Sequence, residues 1–289
     1  MQPLRVIDSH LHEPSIWLDW SEIDDVTRRK LMTELTLGAM DNVGVDAAVL
    51  YPVQDTIWAQ EMCRQFPGRF GWVENARELV AEPDIEDRLV DAMRDPSLRA
   101  WRINLVVPPT EAERYQAGAY DQALVACERH GMPVFIHSAG RLEIVEEVAS
   151  RHPELTLIVD HFGLPQHPRD DPPFARLPQV AALARHANVA VKFGAAILYS
   201  DERFPHRDLW PHLRTLIDAF GIERMMWASD ITRVRGRMGT IAVPGFDQYH
   251  GRHTYAEALH FVRDTDALSD EEKRLLLGAS AERILRFAR

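Results

Sequence analysis

Short apolar runs recur along the chain, separated by longer amphipathic segments. β-branched and apolar residues cluster at 4–8, 46–51, 70–73, 100–107, 133–136, 156–159, 189–193 and 225–228. Runs of this length and composition predict strands. Between them the spacing changes. Apolar residues recur three and four apart at 119–129, 143–151, 174–186 and 209–220, which predicts helices. His130-Gly131-Met132-Pro133 has the form of a helix end that opens a strand, and Asn42-Val43-Gly44 and Phe220-Gly221 repeat it. Residues 269–289 predict a final helix or helix pair, with Ser269-Asp270-Glu271-Glu272 as its capping start.

Eight strands alternating with helices predict a parallel sheet covered by helices, and eight is the number that closes a (β/α)8 TIM-like barrel. The rival is an open doubly wound sheet, which often carries a glycine-rich phosphate loop after its first strand. No G-x-G-x-x-G follows the first run, and G-x-x-x-x-G-K-[ST] occurs nowhere. No low-complexity stretch or Gly/Ser linker divides the sequence, so 1–289 is expected to form one barrel domain with a C-terminal helical segment at 269–289.

Composition changes this picture little. Apolar residues are 46% and charged residues 27% of the 289, as in ordinary globular proteins. The net charge of −11 argues against non-specific nucleic-acid binding, which needs a basic surplus. Two cysteines, Cys63 and Cys127, are too few for a disulfide framework or an all-thiolate zinc site. No apolar stretch approaches the ~18 residues of a membrane span, and the N-terminus lacks the pattern of a signal peptide. The expected setting is cytoplasmic, with a small-molecule partner, no nucleic acid and no membrane. Assembly into a homo-oligomer is compatible with the sequence.

The histidines are more informative. A barrel carries its active site at the C-terminal ends of its strands. There the sequence places Asp8-Ser9-His10-Leu11-His12, Arg102 and Asn104, His137, Asp160-His161, Lys192, and Ser229-Asp230. Residues two apart on a strand share a face, so His10 and His12 can both point into the barrel mouth. Neutral imidazoles suit zinc and related divalent ions. Arg102 shares a face with Asn104, and its guanidinium fork matches a carboxylate. Each residue also has a plain structural alternative. Asp230 could be an N-cap, His137 a core histidine bonded to backbone, and His161 a packing residue held by Asp160. Arg102 could pair with an acid such as Glu74, and Lys192 could form a structural salt bridge. After Asp230, the segment Arg233-Val234-Arg235-Gly236-Arg237 reverses the acidic balance locally and would attract anions.

In order, Ile7-Asp8-Ser9-His10-Leu11-His12, Trp101-Arg102-Ile103-Asn104-Leu105, Val134-Phe135-Ile136-His137, Val159-Asp160-His161-Phe162-Gly163, Val191-Lys192-Phe193-Gly194 and Trp227-Ala228-Ser229-Asp230 resemble the amidohydrolase superfamily. Within it they most resemble the amidohydrolase-related (amidohydrolase-2) family, over almost the whole chain. The fourth, sixth and seventh segments are similar to its lactonase-like branch, of the fuconolactonase, pyrone-dicarboxylate lactonase and sulfomuconolactone hydrolase type. The resemblance implies a hydrolase that opens the lactone ring of a small anionic or sugar-acid substrate by water attack. It implies Asp230 as the catalytic acid/base and His161 as a donor to the carbonyl oxygen. It also implies His10, His12, His137 and Asp230 around one divalent metal ion, zinc first and manganese second. No lysine or glutamate at the fourth strand end bridges two ions. Some lactonase relatives keep the histidines and work without metal. Arg102, Asn104 and Arg233 are the expected substrate-binding residues. The loops 198–208 and 231–253 are candidate lids, and Trp17 and Trp20 candidate pocket walls. Two other functions are compatible with the sequence: a metal-dependent non-oxidative decarboxylase of an unsaturated or aromatic acid, and a non-catalytic barrel scaffold. A scaffold has no need of converging histidines and aspartates.

Overall fold

The computed structural model describes residues 4–14, 22–80, 83–106, 108–166, 170–194, 196–231 and 254–287. Eight parallel strands pair in chain order: β1 (Ile7–Leu11), β2 (Ala47–Leu50), β3 (Phe70–Asn75), β4 (Leu98–Asn104), β5 (Val134–His137), β6 (Leu157–Val159), β7 (Val189–Gly194) and β8 (Met225–Ala228). β8 returns to β1, where the Asp230 N–H donates to the His10 carbonyl at 3.1 Å and the Ser9 hydroxyl donates to the Trp227 carbonyl at 2.7 Å. The fold is the expected (β/α)8 barrel.

The helices are α1 (Asp25–Val43), α2 (Thr56–Gln65), α3 (Ala76–Leu79), α4 (Ile85–Ala92), α5 (Glu111–Gln116), α6 (Asp121–His130), α7 (Leu142–Arg151), α8 (Leu177–Ala182), α9 (Trp210–Phe220), α10 (Tyr255–Arg263), α11 (Asp270–Arg274) and α12 (Ser280–Ile284). Among the described residues, no helix is long and apolar enough to cross a membrane.

Several boundaries differ from the sequence reading. The first strand starts at Ile7 rather than 4 and carries His10 within it. It is bulged against β2 between Asp8 and Leu11. The fourth runs from Leu98 to Asn104 rather than 100–107, and Val107 lies outside the described residues. The helix expected over 174–186 is α-helical only from Leu177 to Ala182, then tightens into a 3-10 turn at Leu183–Arg185. Pro178 accounts for the late start, because a residue without an N–H fits a helix only in its first turn. Ser269 does cap α11, in a reciprocal pair with Glu272.

The inner barrel wall alternates as a pleated sheet requires. Ile7, Val49, Val73, Ala100, Phe135, Ile158, Ala190 and Met226 form one apolar interior cluster, which Ala281, Leu285 and Phe287 of the C-terminal segment join. Gly278 permits that closure. A Cβ there would lie 1.9 Å from the Arg5 carbonyl oxygen, just before β1. With one end plugged by apolar groups, the polar side chains of the inner wall gather at the other end, past the apolar layer.

Candidate active site

The period of two carries each strand from an apolar residue to a polar one. Ala100 is followed by Arg102 and Asn104, Phe135 by His137, Ile158 by Asp160, Ala190 by Lys192, and Met226 by Ala228 and then Asp230. His10, His12, Arg102, His137, Asp160, His161, Lys192 and Asp230 are all buried.

The lower tier is an ion-pair hub. Arg102 Nε donates to Asp160 Oδ2 at 2.6 Å, and Lys192 Nζ lies 2.9 Å from Asp160 Oδ1. Each cation also faces a ring. The Arg102 guanidinium carbon is 4.2 Å from the Tyr51 ring centre, and Lys192 Nζ is 3.4 Å from that of Phe135, favourable cation–π placements. Burial works against the Asp160 charge, but Lys192 and Arg102 outweigh it and hold the carboxyl well below its usual range. Burial pulls Lys192 down to about 8, with Asp160 opposing it. Arg102 Nη1 and Nη2 have no hydrogen-bond acceptor among the described residues.

Above the hub stand the imidazoles. His12 Nδ1 lies 2.8 Å from the Tyr51 carbonyl. A carbonyl only accepts, so Nδ1 carries the proton and Nε2 presents a lone pair. Glu13, the next residue, accepts backbone N–H bonds from Val53 and Gln54 at 2.9 and 2.6 Å and fixes the strand end. Lys192 Nζ is 3.0 Å from His10 Nδ1. An ammonium only donates, so His10 carries its proton on Nε2, 3.2 Å from His12 Nε2. Burial, then Lys192, holds His10 well below the usual histidine range, and burial lowers His161 to about 4. Both rings are neutral at pH 7.

Asp230 closes the cluster. Its Oδ1 is 3.1 Å from His12 Nε2 and 3.8 Å from His10 Nε2, and its Oδ2 is 3.7 Å from His161 Nε2. Burial opposes its charge, but His161, which gains its proton only near pH 4, holds the carboxyl well below its ordinary value. Among the described residues, Oδ1 has no hydrogen-bond donor. It faces the His12 lone pair, an arrangement that a cation would satisfy. Two ligands each about 2.0–2.1 Å from one ion at a tetrahedral angle stand about 3.3 Å apart, close to the spacings seen. Candidate ligand atoms of His10, His161 and Asp230 all lie within 4.8 Å of one another. The donor set therefore fits one ion, and His10 would join it as the neutral tautomer that carries its proton on Nδ1 and leaves Nε2 free.

Strain marks the same place. Asp230, His161 and Phe162 adopt left-handed backbone with φ of 53°, 50° and 58°. Such conformations cost roughly 1–3 kcal/mol each and cluster at functional sites. Gly194 makes room for His161, because a Cβ there would stand 2.9 Å from its Nδ1.

The barrel thus brings together His10, His12, His161 and Asp230. His137 joins through an edge-on ring contact with His161, at 5.4 Å between centres. Arg102 lies in the tier beneath, and its acid is Asp160 rather than Glu74, which instead lies 3.7 Å from Arg88. Asn104 accepts the Val106 N–H at 3.0 Å. Arg233, Trp17, Trp20 and 232–253 lie outside the described residues. Residues 198–208 fold back on themselves through Ser200 and Asp201, which both donate to Asp208. The sequence reading placed Asp160 and Asp8 at the strand ends without giving either a role of its own in the site, and it missed Tyr51. The alternation Ile158, Asp160 carried the signal for the first, but the histidine beside it drew the assignment.

The sequence profile described as amidohydrolase matches residues 7–287. No curated protein matches the chain. Among solved structures, the chain is similar to an amidohydrolase from Burkholderia multivorans with bound zinc, at 19% identity and a TM-score of 0.71 over 98% of this chain and 100% of that one. A Pseudomonas putida protein described as a 2-pyrone-4,6-dicarboxylic acid hydrolase matches at 19% identity and 0.70, over 99% of both chains. The 4-oxalomesaconate hydratase of Rhodopseudomonas palustris matches at 16% and 0.61, over 97% of this chain and 95% of that one. At these identities the structural likeness speaks for the fold.

Proposed function

Because the chain belongs to the amidohydrolase family, we propose that it is a hydrolase that opens the lactone ring of a small anionic substrate, with Asp230 as its acid/base. One observation carries the reading. The ionised Asp230 carboxylate is sealed among His10, His12 and His161, and its Oδ1 receives no hydrogen bond from the described residues. A buried carboxylate with a free lone pair is a proton acceptor waiting for a donor.

In the proposed reaction Asp230 takes a proton from the attacking water. The water oxygen bonds to the carbonyl carbon, the ring C–O bond breaks, and Asp230 returns the proton to the departing oxygen. His161 donates to the carbonyl oxygen while charge gathers there. His10, His12 and Asp230 would hold one divalent ion, zinc first, with His161 and His137 on the same side; such an ion lowers the pKa of its water and polarises an ester carbonyl. Arg102 and Lys192 balance Asp160 and Asp230, so a divalent ion would leave the buried site positive. That surplus favours an anionic substrate. The same reading takes 1–289 as one domain.

The test is a panel of sugar-acid and dicarboxylate lactones followed by acid release, beside aromatic and unsaturated acids followed by carbon dioxide. Acid release is expected, and Asp230→Asn is expected to lower it by about 10²–10⁴-fold with an unchanged circular-dichroism spectrum. Gas without acid release would move the protein to the decarboxylases. Full activity in Asp230→Asn would remove that residue from the chemistry.

A further inference from the structure

A second buried carboxylate stands just outside the cluster. Asp8 of β1 is sealed from solvent and receives donors from three elements. Its Oδ1 accepts the Ser229 N–H at 2.9 Å and the His10 N–H at 3.1 Å. Its Oδ2 accepts the Ser229 hydroxyl, and the Tyr255 hydroxyl at the start of α10 at 2.9 Å. Ser229 directly precedes Asp230, and Ser229 Oγ also accepts the Ile231 N–H at 3.2 Å. Both neighbours of Asp230 are therefore tied, directly or through one hydroxyl, to a single carboxylate. The bond from the Asp230 N–H to the His10 carbonyl fixes the same turn from the other side.

This matters because Asp230 holds a left-handed φ of 53°. A strained residue keeps its conformation only when its surroundings over-determine it. Here β8 meets β1, and the regular strand ladder gives way to these side-chain bonds.

We propose that Asp8 is the positioning residue for Asp230: it clamps Ser229 and His10 so that the strained turn aims the Asp230 carboxylate at His12, and Tyr255 locks the clamp from α10. The proposal rests on the reading of Asp230 as the carboxylate of the active site.

An isosteric amide can replace this clamp. In Asp8→Asn the amide oxygen still accepts the two N–H groups, and the Ser229 and Tyr255 hydroxyls can turn to accept from its NH2. Asp8→Ala cannot replace it. The experiment is titration of each variant with zinc alone, together with its crystal structure. In Asp8→Ala the Asp230 carboxylate is expected to move from His12 by more than about 1 Å, and zinc affinity to fall by about tenfold or more. Asp8→Asn is expected to stay within about threefold of the parent. Leu213→Ala, a cavity in the distant helix α9, is expected to lower stability and leave zinc affinity unchanged. If Asp8→Ala does not fold, the double variant Ser229→Ala/Tyr255→Phe carries the same expectation. An Asp8→Ala or double variant that keeps both the Asp230 placement and the zinc affinity overturns the proposal. A parent protein that takes up no zinc overturns the ion-binding part of the proposed function, and the Asp230–His12 distance in the variant crystals then decides this inference.

Discussion

Two carboxylates flank His10, both sealed from water, and the protein holds them in opposite ways. Asp160, inside the barrel, meets two cations, Arg102 and Lys192. Asp8, at the seam of β8 and β1, meets four hydrogen-bond donors that carry no charge. Counted as hydrogen bonds, Asp8 is the better satisfied. Burial nevertheless raises its carboxyl from 3.8 to about 6, against the pull of those donors, whereas Asp160 is held well below 3.8. The four neutral donors at Asp8 lower its pKa by less than burial raises it, whereas the two cations at Asp160 outweigh burial. The two acids therefore serve different ends. Asp160 keeps two cations in place beneath the imidazoles. Asp8 fixes where the chain goes.

The sharpest break of this comparison is the same amide substitution at both places. Asp160→Asn removes the anion from between two buried cations. Lys192 can shed its proton, but Arg102 cannot. A loss of about 3–5 kcal/mol is expected, the cost of leaving a buried charge uncompensated, read from urea unfolding at pH 7. Asp8→Asn exchanges one neutral-donor arrangement for another, and a loss of about 1 kcal/mol is expected. Equal losses at the two sites would show that charge pairing does not separate these acids.

The same contrast explains what the sequence revealed. Arg102, Asn104 and Lys192 could be placed on the inner wall because alternation along a strand is a local rule. His10 and His12 could be paired on one face for the same reason, and their Nε2 atoms do meet at 3.2 Å. Asp160 obeyed that rule too, two residues after Ile158, yet its meaning depended on which cations the neighbouring strands β4 and β7 would bring. Asp8 was beyond any local rule. Its side belongs to a bulged strand, and its partners Ser229 and Tyr255 lie more than two hundred residues away. The left-handed turns at His161 and Asp230 were equally hidden, because neither residue type demands that conformation. Periodicity thus announced the barrel and the tier from which the site is built. The clamps that aim the site arise from contacts that exist only once the barrel has closed.

The finest probe of the comparison is the pH dependence of stability, because the two acids have opposite signs. The folded-state pKa of Asp8 lies near 6, above its ordinary 3.8. Between about pH 4 and 6 the folded chain keeps that proton while the unfolded chain releases it. By linkage, the stabilisation from protonated Asp8 is complete below pH 4 and is lost as the pH rises toward 6. Asp160 behaves in reverse. Its folded pKa is depressed, so its contribution is complete above the unfolded value and is lost only as the pH falls below about 4. The window from 4 to 6 therefore isolates Asp8 from Asp160. In urea titrations across that window, Asp8→Asn is expected to lie furthest below the parent at pH 4 and to close part of the gap by pH 7, since the amide has no proton to lose. A gap that stays constant from pH 4 to 7 would mean that the four neutral donors carry the charge of Asp8 as well as two cations carry that of Asp160, and the distinction between the two acids would fail.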